Sequence, residues 1–211
     1  MNENDVKMSV CHGADIIGFV VDYPRPVPWN LNARETQKLV QAVAKPAETC
    51  IVTGGPFDKI KNLALEIKPD YVQLHSGESL EDTARLVHEL GKYGVKIIKT
   101  IFPDTPELEK SVLDFCKTGV YALLFDPRTP DNAATGGTAD IDKFIKLKNF
   151  VNCPVILAGG INPGNAAEII QQTNAQIIDL MTGVEKAPGN KDEEKIILLF
   201  KKLRGNKKSG Y

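Results

Sequence analysis

Seven short apolar runs recur along the chain, over residues 16–21, 50–53, 70–75, 95–101, 120–125, 154–158 and 176–180. Each is followed by polar or glycine-rich residues and then by apolar positions at helical spacing. After the second run Ile60, Leu63, Ala64 and Ile67 fall at i, i+3, i+4 and i+7; after the third, Leu80, Ala84, Val87 and Leu90 share one predicted face. Leu108, Val112 and Phe115 follow the fourth run, and Ile196, Leu199, Phe200 and Leu203 follow the last. A further helix is predicted over 33–44. Runs that are apolar throughout suit strands buried on both faces, and strands alternating with helices imply a parallel sheet with right-handed crossovers.

One element breaks the beat. Residues 2–12 read as a helix, with Asn4 or Asp5 as cap and Gly13 as stop, yet no strand precedes it. Repeated βα units build either an open doubly wound sheet or a closed ring. The orphan helix is best explained by an α/β (β/α)8 TIM barrel that lacks its first β-strand. A single domain over residues 1–204 is expected, with a polar, disordered tail over 205–211.

Composition narrows the function classes. The 211 residues carry a net charge of −1, which gives no general electrostatic attraction for nucleic acid or an anionic membrane surface. No apolar run reaches the ~20 residues of a membrane span, and the first residues lack the profile of a signal peptide. A cytoplasmic protein is expected, with no nucleic acid and no membrane as partner. The four cysteines, Cys11, Cys50, Cys116 and Cys153, form no CxxC pair, so neither a metal cluster nor a disulfide framework is predicted. Free thiols are expected.

The candidate chemistry sits where strands end. Pro154 to Asn165 reads PVILAGGINPGN, an apolar strand that stops at Gly159-Gly160 and reopens as a helix. Such a junction lets backbone and helix N-terminus approach an anion, although Gly-Gly can also be a plain turn. The run 120–125 ends in Asp126 and enters a long loop containing Thr135-Gly136-Gly137-Thr138.

Taken together, these segments resemble the phosphoribosylanthranilate isomerases, barrel enzymes of tryptophan biosynthesis. The resemblance runs through His12 to Val20, Pro24-Arg25, Val72-Gln-Leu-His75, Leu124 to Asp126, Gly136-Gly-Thr138, Leu157 to Pro163, Thr182-Gly-Val-Glu185, Pro188-Gly189 and Lys191-Asp192. It implies an Amadori rearrangement of a phosphorylated small-molecule substrate with no metal or organic cofactor, by a monomer or homodimer. Asp126 would be the general acid, kept partly protonated by desolvation; its bland alternative is a cap on the turn at Pro127. Arg25 would hold the anthranilate carboxylate, or else be a solvated loop residue. The backbones of Gly159, Gly160 and Gly183, with Gly136, Gly137 and Thr138, would grip the phosphate. His75 either lines the pocket or is a hydrogen-bonded structural histidine, and Asp179 either orients pocket groups or is a satisfied polar residue inside the barrel.

The sequence also departs from that pattern. The base implied by the resemblance is a cysteine in a Lys-x-Cys-Gly segment ending the first strand, and no such segment occurs. Two explanations stand: an internal start, with strand and cysteine upstream of Met1, or a degenerate barrel that binds a sugar phosphate without turnover. The first is favoured because a lost strand exposes two edges. As written, the chain is expected to be weakly stable and poorly active. Met181-Thr182 stand in place of two serines, Ala139 in place of a glycine, and the loop carrying Arg25 is short. Another phosphate-binding barrel enzyme would need histidine ligands or a lysine at strand ends, for which His75 and Lys99 are the candidates.

Overall fold

The computed structural model describes residues 2–128 and 137–206. Its first helix, α1 (Glu3–His12), ends as expected at Gly13, whose φ of 115° a side chain would resist. It starts differently: Asn2, not Asn4 or Asp5, is the cap, and accepts from the amide of Asp5. Asp5 is thereby taken up inside the first turn.

Seven parallel strands follow in chain order: β1 (Ile16–Val20), β2 (Glu48–Thr53), β3 (Tyr71–Leu74), β4 (Lys96–Ile101), β5 (Ala122–Phe125), β6 (Val155–Leu157) and β7 (Ile177–Ile178). Among the described residues each pairs only with its sequence neighbours, the strand order of a barrel wall. Helices α2 (Ala33–Gln41), α3 (Phe57–Ile67), α4 (Leu80–Gly91), α5 (Leu108–Lys117), α6 (Ile141–Phe150), α7 (Ala166–Thr173) and α8 (Glu193–Asn206) complete the βα units. Between β7 and α8 the chain forms a 3-10 turn, Thr182–Val184, and a two-stranded ribbon of β8 (Glu185–Ala187) and β9 (Asn190–Lys191). Strand alternation divides the core into two layers. Ile17, Phe19, Ile51, Val72, Leu74, Ile97, Leu123, Phe125 and Leu157 pack under the helices, whereas Cys50, Tyr71, Ile98, Ala122, Leu124, Ile156 and Ala158 form a smaller inner layer.

Among the described residues no ladder joins β7 to β1. The inner side of β1 shows the consequence: Gly18 is exposed and Ile16 and Val20 are only partly buried, while every residue of β3 and β5 is buried. The architecture is an α/β barrel of the TIM type, with seven parallel strands among the described residues.

Several expectations need correction. In α4 the buried face is Thr83, Leu86 and Leu90; Leu80 points out at 42% exposed, and Ala84 and Val87 are half-buried. Two overlapping apolar stripes exist on this helix, and packing selects the one through Leu86. Cys116 and Cys153 are not free thiols but form a disulfide, because the end of α5 and the entry to β6 lie side by side at the barrel base. Cys11 and Cys50 remain free. Helix α8 includes Gly205 and Asn206, anchored near its end by Arg204, which donates to the His12 carbonyl at 2.9 Å. The expected tail beyond residue 206 lies outside the described residues.

Candidate active site

Three loops meet at the C-terminal end of the strands. After β6, Gly159 and Gly160 take φ of +102° and +68°, conformations that an L side chain rarely adopts. A Cβ on Gly159 would overlap the Pro127 ring, one on Gly160 would lie 3.1 Å from the Gly137 carbonyl, and one on Gly183 would overlap the Ile161 carbonyl oxygen. These glycines therefore let the loops after β5, β6 and β7 close on one another, and the amide of Ala139 donates to Gly159 at 3.4 Å. They enclose a cavity of about 60 Å³ lined by Arg128, Gly137, Gly159, Gly160, Asp179 and Gly183. Thr138 sits exposed beside it, and Gly136 lies outside the described residues.

The start of α7 is not the open anion site that the sequence predicts. Asn162 and Asn165 close the turn that leads into it: the Asn162 amide donates to Asn165 Oδ1 at 2.8 Å, Gly164 donates to Asn162 Oδ1 at 2.7 Å, and both side-chain amides donate to the Gly160 carbonyl. Side-chain acceptors thus take up the amides of Asn162 and Gly164 in the turn before the helix. Gly159, Gly160 and Gly183 lend no amide to these bonds.

The Gly183 turn is held from below by a buried ion pair. Lys191 Nζ donates to the Met181 carbonyl at 3.0 Å and to Glu185 Oε1 at 3.1 Å, with both side chains below 10% exposed. Glu185 Oε2 accepts from the Gly189 amide, and Lys195 caps the Glu185 carbonyl at 2.6 Å. The Thr182 to Asp192 motif is thus a brace for one loop.

Beside the cavity, Asp126 ends β5 fully buried. Its carboxylate accepts from Arg128 Nε at 2.9 Å and Nη2 at 2.7 Å, and from the Arg128 backbone amide at 2.9 Å. It therefore caps the turn at Pro127 as well as facing the mouth. His75 Nε2 lies 3.5 Å from Oδ2. Burial pushes the Asp126 carboxyl up, but the hydrogen bonds from His75 and Arg128 and the guanidinium charge outweigh it and hold the pKa at about 2. The expectation of a partly protonated acid fails here: desolvation is beaten by pairing. Asp179 behaves oppositely. Burial raises its pKa, Arg128 opposes the shift and Asp126 adds to it.

His75 ends β3 within the mouth. The Tyr23 hydroxyl donates to the His75 carbonyl at 3.0 Å and sits 3.0 Å from Nδ1, while Phe102 meets the imidazole edge-on at 5.5 Å. Burial and the charges of Glu78 and Asp126 push Tyr23 up to about 12, so it stays a neutral donor. Arg25 is exposed on the loop two residues later, a loop closed by Asn30, which accepts from the Tyr23 amide at 2.9 Å. Its charge is felt at Tyr23. Asp126, His75, Asp179 and the glycines are thus brought together, with Arg25 on the rim. Lys99 is not in the mouth at all: it points to the helical side, 2.9 Å from Glu78. Among the described residues no three His, Cys, Asp or Glu side chains converge as metal ligands would.

Sequence reading missed Arg128, Tyr23 and the Glu78 brace. Arg128 carried a usable signal, since a basic residue two positions after a strand-end acid can return to it; Tyr23 carried none beyond its adjacency to Arg25.

A sequence profile described as N-(5'phosphoribosyl)anthranilate (PRA) isomerase matches residues 2–202. The N-(5'-phosphoribosyl)anthranilate isomerase of Rhodopseudomonas palustris (strain TIE-1) is 33% identical over 194 residues, covering 90% of this chain and 88% of that protein. The crystal structure of phosphoribosyl anthranilate isomerase from Thermus thermophilus superposes with a TM-score of 0.81 at 25% identity, over 97% of this chain and 95% of that one. That from Thermotoga maritima gives 0.82 at 24% identity, over 97% and 95%. No helix among the described residues is long and apolar enough to cross a membrane. With that profile matched over residues 2–202 and a relative 33% identical across 90% of this chain, the chain belongs to the N-(5'-phosphoribosyl)anthranilate isomerase family.

Proposed function

We propose that Asp126 and the glycine loops form the working centre of a phosphoribosylanthranilate isomerase of tryptophan biosynthesis, converting phosphoribosylanthranilate into 1-(o-carboxyphenylamino)-1-deoxyribulose 5-phosphate. The supporting observation is the position of Asp126, buried at the end of β5 and bonded to Arg128, which lines a glycine-walled cavity. The reaction is an internal redox exchange with no net loss or gain of atoms. A proton reaches the ribose ring oxygen, the ring opens to a Schiff base, and a base removes the C2' proton to give the enolamine that becomes the ketone.

In this reading Asp126 moves the ring-oxygen proton, Gly159, Gly160, Gly183, Gly137 and Thr138, with Gly136, hold the phosphate, and Arg25 reaches in from the rim to the anthranilate carboxylate. His75, fixed by Tyr23, orients Asp126, and Asp179 lines the phosphate end. The test is turnover of phosphoribosylanthranilate in vitro and rescue of a tryptophan auxotroph. Asp126→Asn lowers turnover by roughly 10²–10⁴, and a soluble protein that gives neither turnover nor growth counts against the reading.

A second reading, a barrel that binds a sugar phosphate without turnover, is favoured by the cysteines. Cys11 is exposed at the end of α1, Cys50 lies in the inner layer with its thiol pushed up by burial, and Cys116 and Cys153 are bonded to each other. None is placed to act as the base. Binding of a substrate analogue with no turnover would support this second reading over the first.

A further inference from the structure

The acid-base reading gives Arg128 no task beyond neutralising Asp126, yet its geometry shows more. A guanidinium carries five N–H donors on two edges. Arg128 commits one edge, Nε and Nη2, to the two oxygens of Asp126; Nη1 takes part in none of the bonds formed at the site by the described residues. The side chain is only 12% exposed, so the second edge does not extend into bulk solvent. Arg128 also lines the cavity whose other walls include Gly137, Gly159, Gly160, Gly183 and Asp179. Around it stand Asp126, Asp179 and Tyr23, and beyond them His75, Arg25 and Lys191. A buried cation with spare donors, facing backbone that cannot clash with an incoming ligand, suits a tetrahedral dianion.

We propose that Arg128 is a second anchor for the ligand's phosphate, bridging it to Asp126 through the two edges of one guanidinium. The inference rests on the reading of the glycine loops as the phosphate site. It carries a consequence for the acid. An anion on the second edge draws on the same positive charge that keeps Asp126 ionised, so phosphate binding loosens that hold and lets the carboxyl take up a proton. By linkage, protonating or neutralising Asp126 tightens phosphate binding by the same factor. Arg128 touches the ligand's tail but acts on the reacting end by positioning and charge.

Calorimetric titration of the full chain with inorganic phosphate tests this. Arg128→Met weakens phosphate binding by about tenfold or more, Arg128→Lys restores part of it, and Asp126→Asn tightens it by releasing the guanidinium. In the unaltered protein, the carboxyl-carbon resonance of Asp126 titrates at higher pH with saturating phosphate than without, a readout that does not depend on any variant folding. Unchanged affinity in Arg128→Met, or an Asp126 midpoint that phosphate leaves in place, overturns the proposal. If the unaltered chain binds phosphate and Gly183→Ala abolishes binding while Arg128→Met does not, this inference fails alone. If the unaltered chain binds no phosphate, the glycine-loop reading fails with it.

Discussion

Two buried ion pairs, built from opposite kinds of acid, stand on adjacent strands and serve different ends. Glu78 and Lys99 lie on the helical side of the sheet with side chains 2% and 3% exposed, and the Glu78 carboxylate also accepts from the amides of Gly55 and Ser76. Every direction around this pair is filled. Asp126 and Arg128 lie at the mouth, and Arg128 lines a cavity there. The first pair ties the loops after β2 and β3 to β4; the second is saturated on one side only. A charge pair closed all round is scaffold, whereas one with a free edge can respond to a ligand.

The closed pair is the more costly of the two to disrupt. Lys99→Met leaves the Glu78 carboxylate buried without its counter-charge, and a loss of about 3–5 kcal/mol is expected in urea unfolding. The double change Lys99→Met with Glu78→Gln recovers much of it. Next, Gly159→Ala drives a methyl group into Pro127, the residue between Asp126 and Arg128, at a backbone angle that disfavours any side chain. A cost of roughly 1–3 kcal/mol accompanies loss of phosphate binding, with the Lys99 pair untouched.

Arg128→Met gives a smaller, pH-dependent effect. The folded pKa of Asp126 is depressed from 3.8 to about 2. Its ionisation therefore stabilises the fold above pH ~3.8, by roughly 2 kcal/mol, and that contribution is lost as the pH falls toward 2. Stability curves of the unaltered chain and Arg128→Met converge across that window; parallel curves would show that Arg128 is not what depresses the carboxyl. The smallest change is Tyr23→Phe, which removes the hydroxyl beside His75 at a cost of about 1 kcal/mol. It sharpens the contrast by asking whether His75 still supports Asp126 when its own anchor is gone. A KM that holds while kcat falls is the expected result.

Much of this molecule was legible because strand parity is rigid. Once β5 is placed, Leu124 faces inward, so Asp126 must as well; once Gly159-Gly160 ends β6, its loop must lie on the same face as Asp126. What was hidden depends on how side chains return across short turns. The ionisation of Asp126 turns on the direction of Arg128, and the closed start of α7 turns on Asn162 and Asn165 bonding each other rather than a ligand. The buried face of α4 could not be read either, since Leu86 and Leu80 head competing stripes of similar apolar content. Lys99 was misjudged for a simpler reason: it shares parity with Ile97 and Ile101, which pack under the helices, and a lysine there is tolerated only because Glu78 reaches it.

The seam between β7 and β1 sets the rhythm of opening in solution. Backbone groups of both strands lack ladder partners on that side among the described residues, and the inner layer beside them is only half covered. Amide hydrogen exchange should therefore be fastest at β7 and β1 and slowest at β3 and β5, whose residues are all buried. The aspartate at the end of β5 sits away from this seam, and slow exchange at Phe125 with fast exchange at Ile16 and Ile178 is the expected pattern.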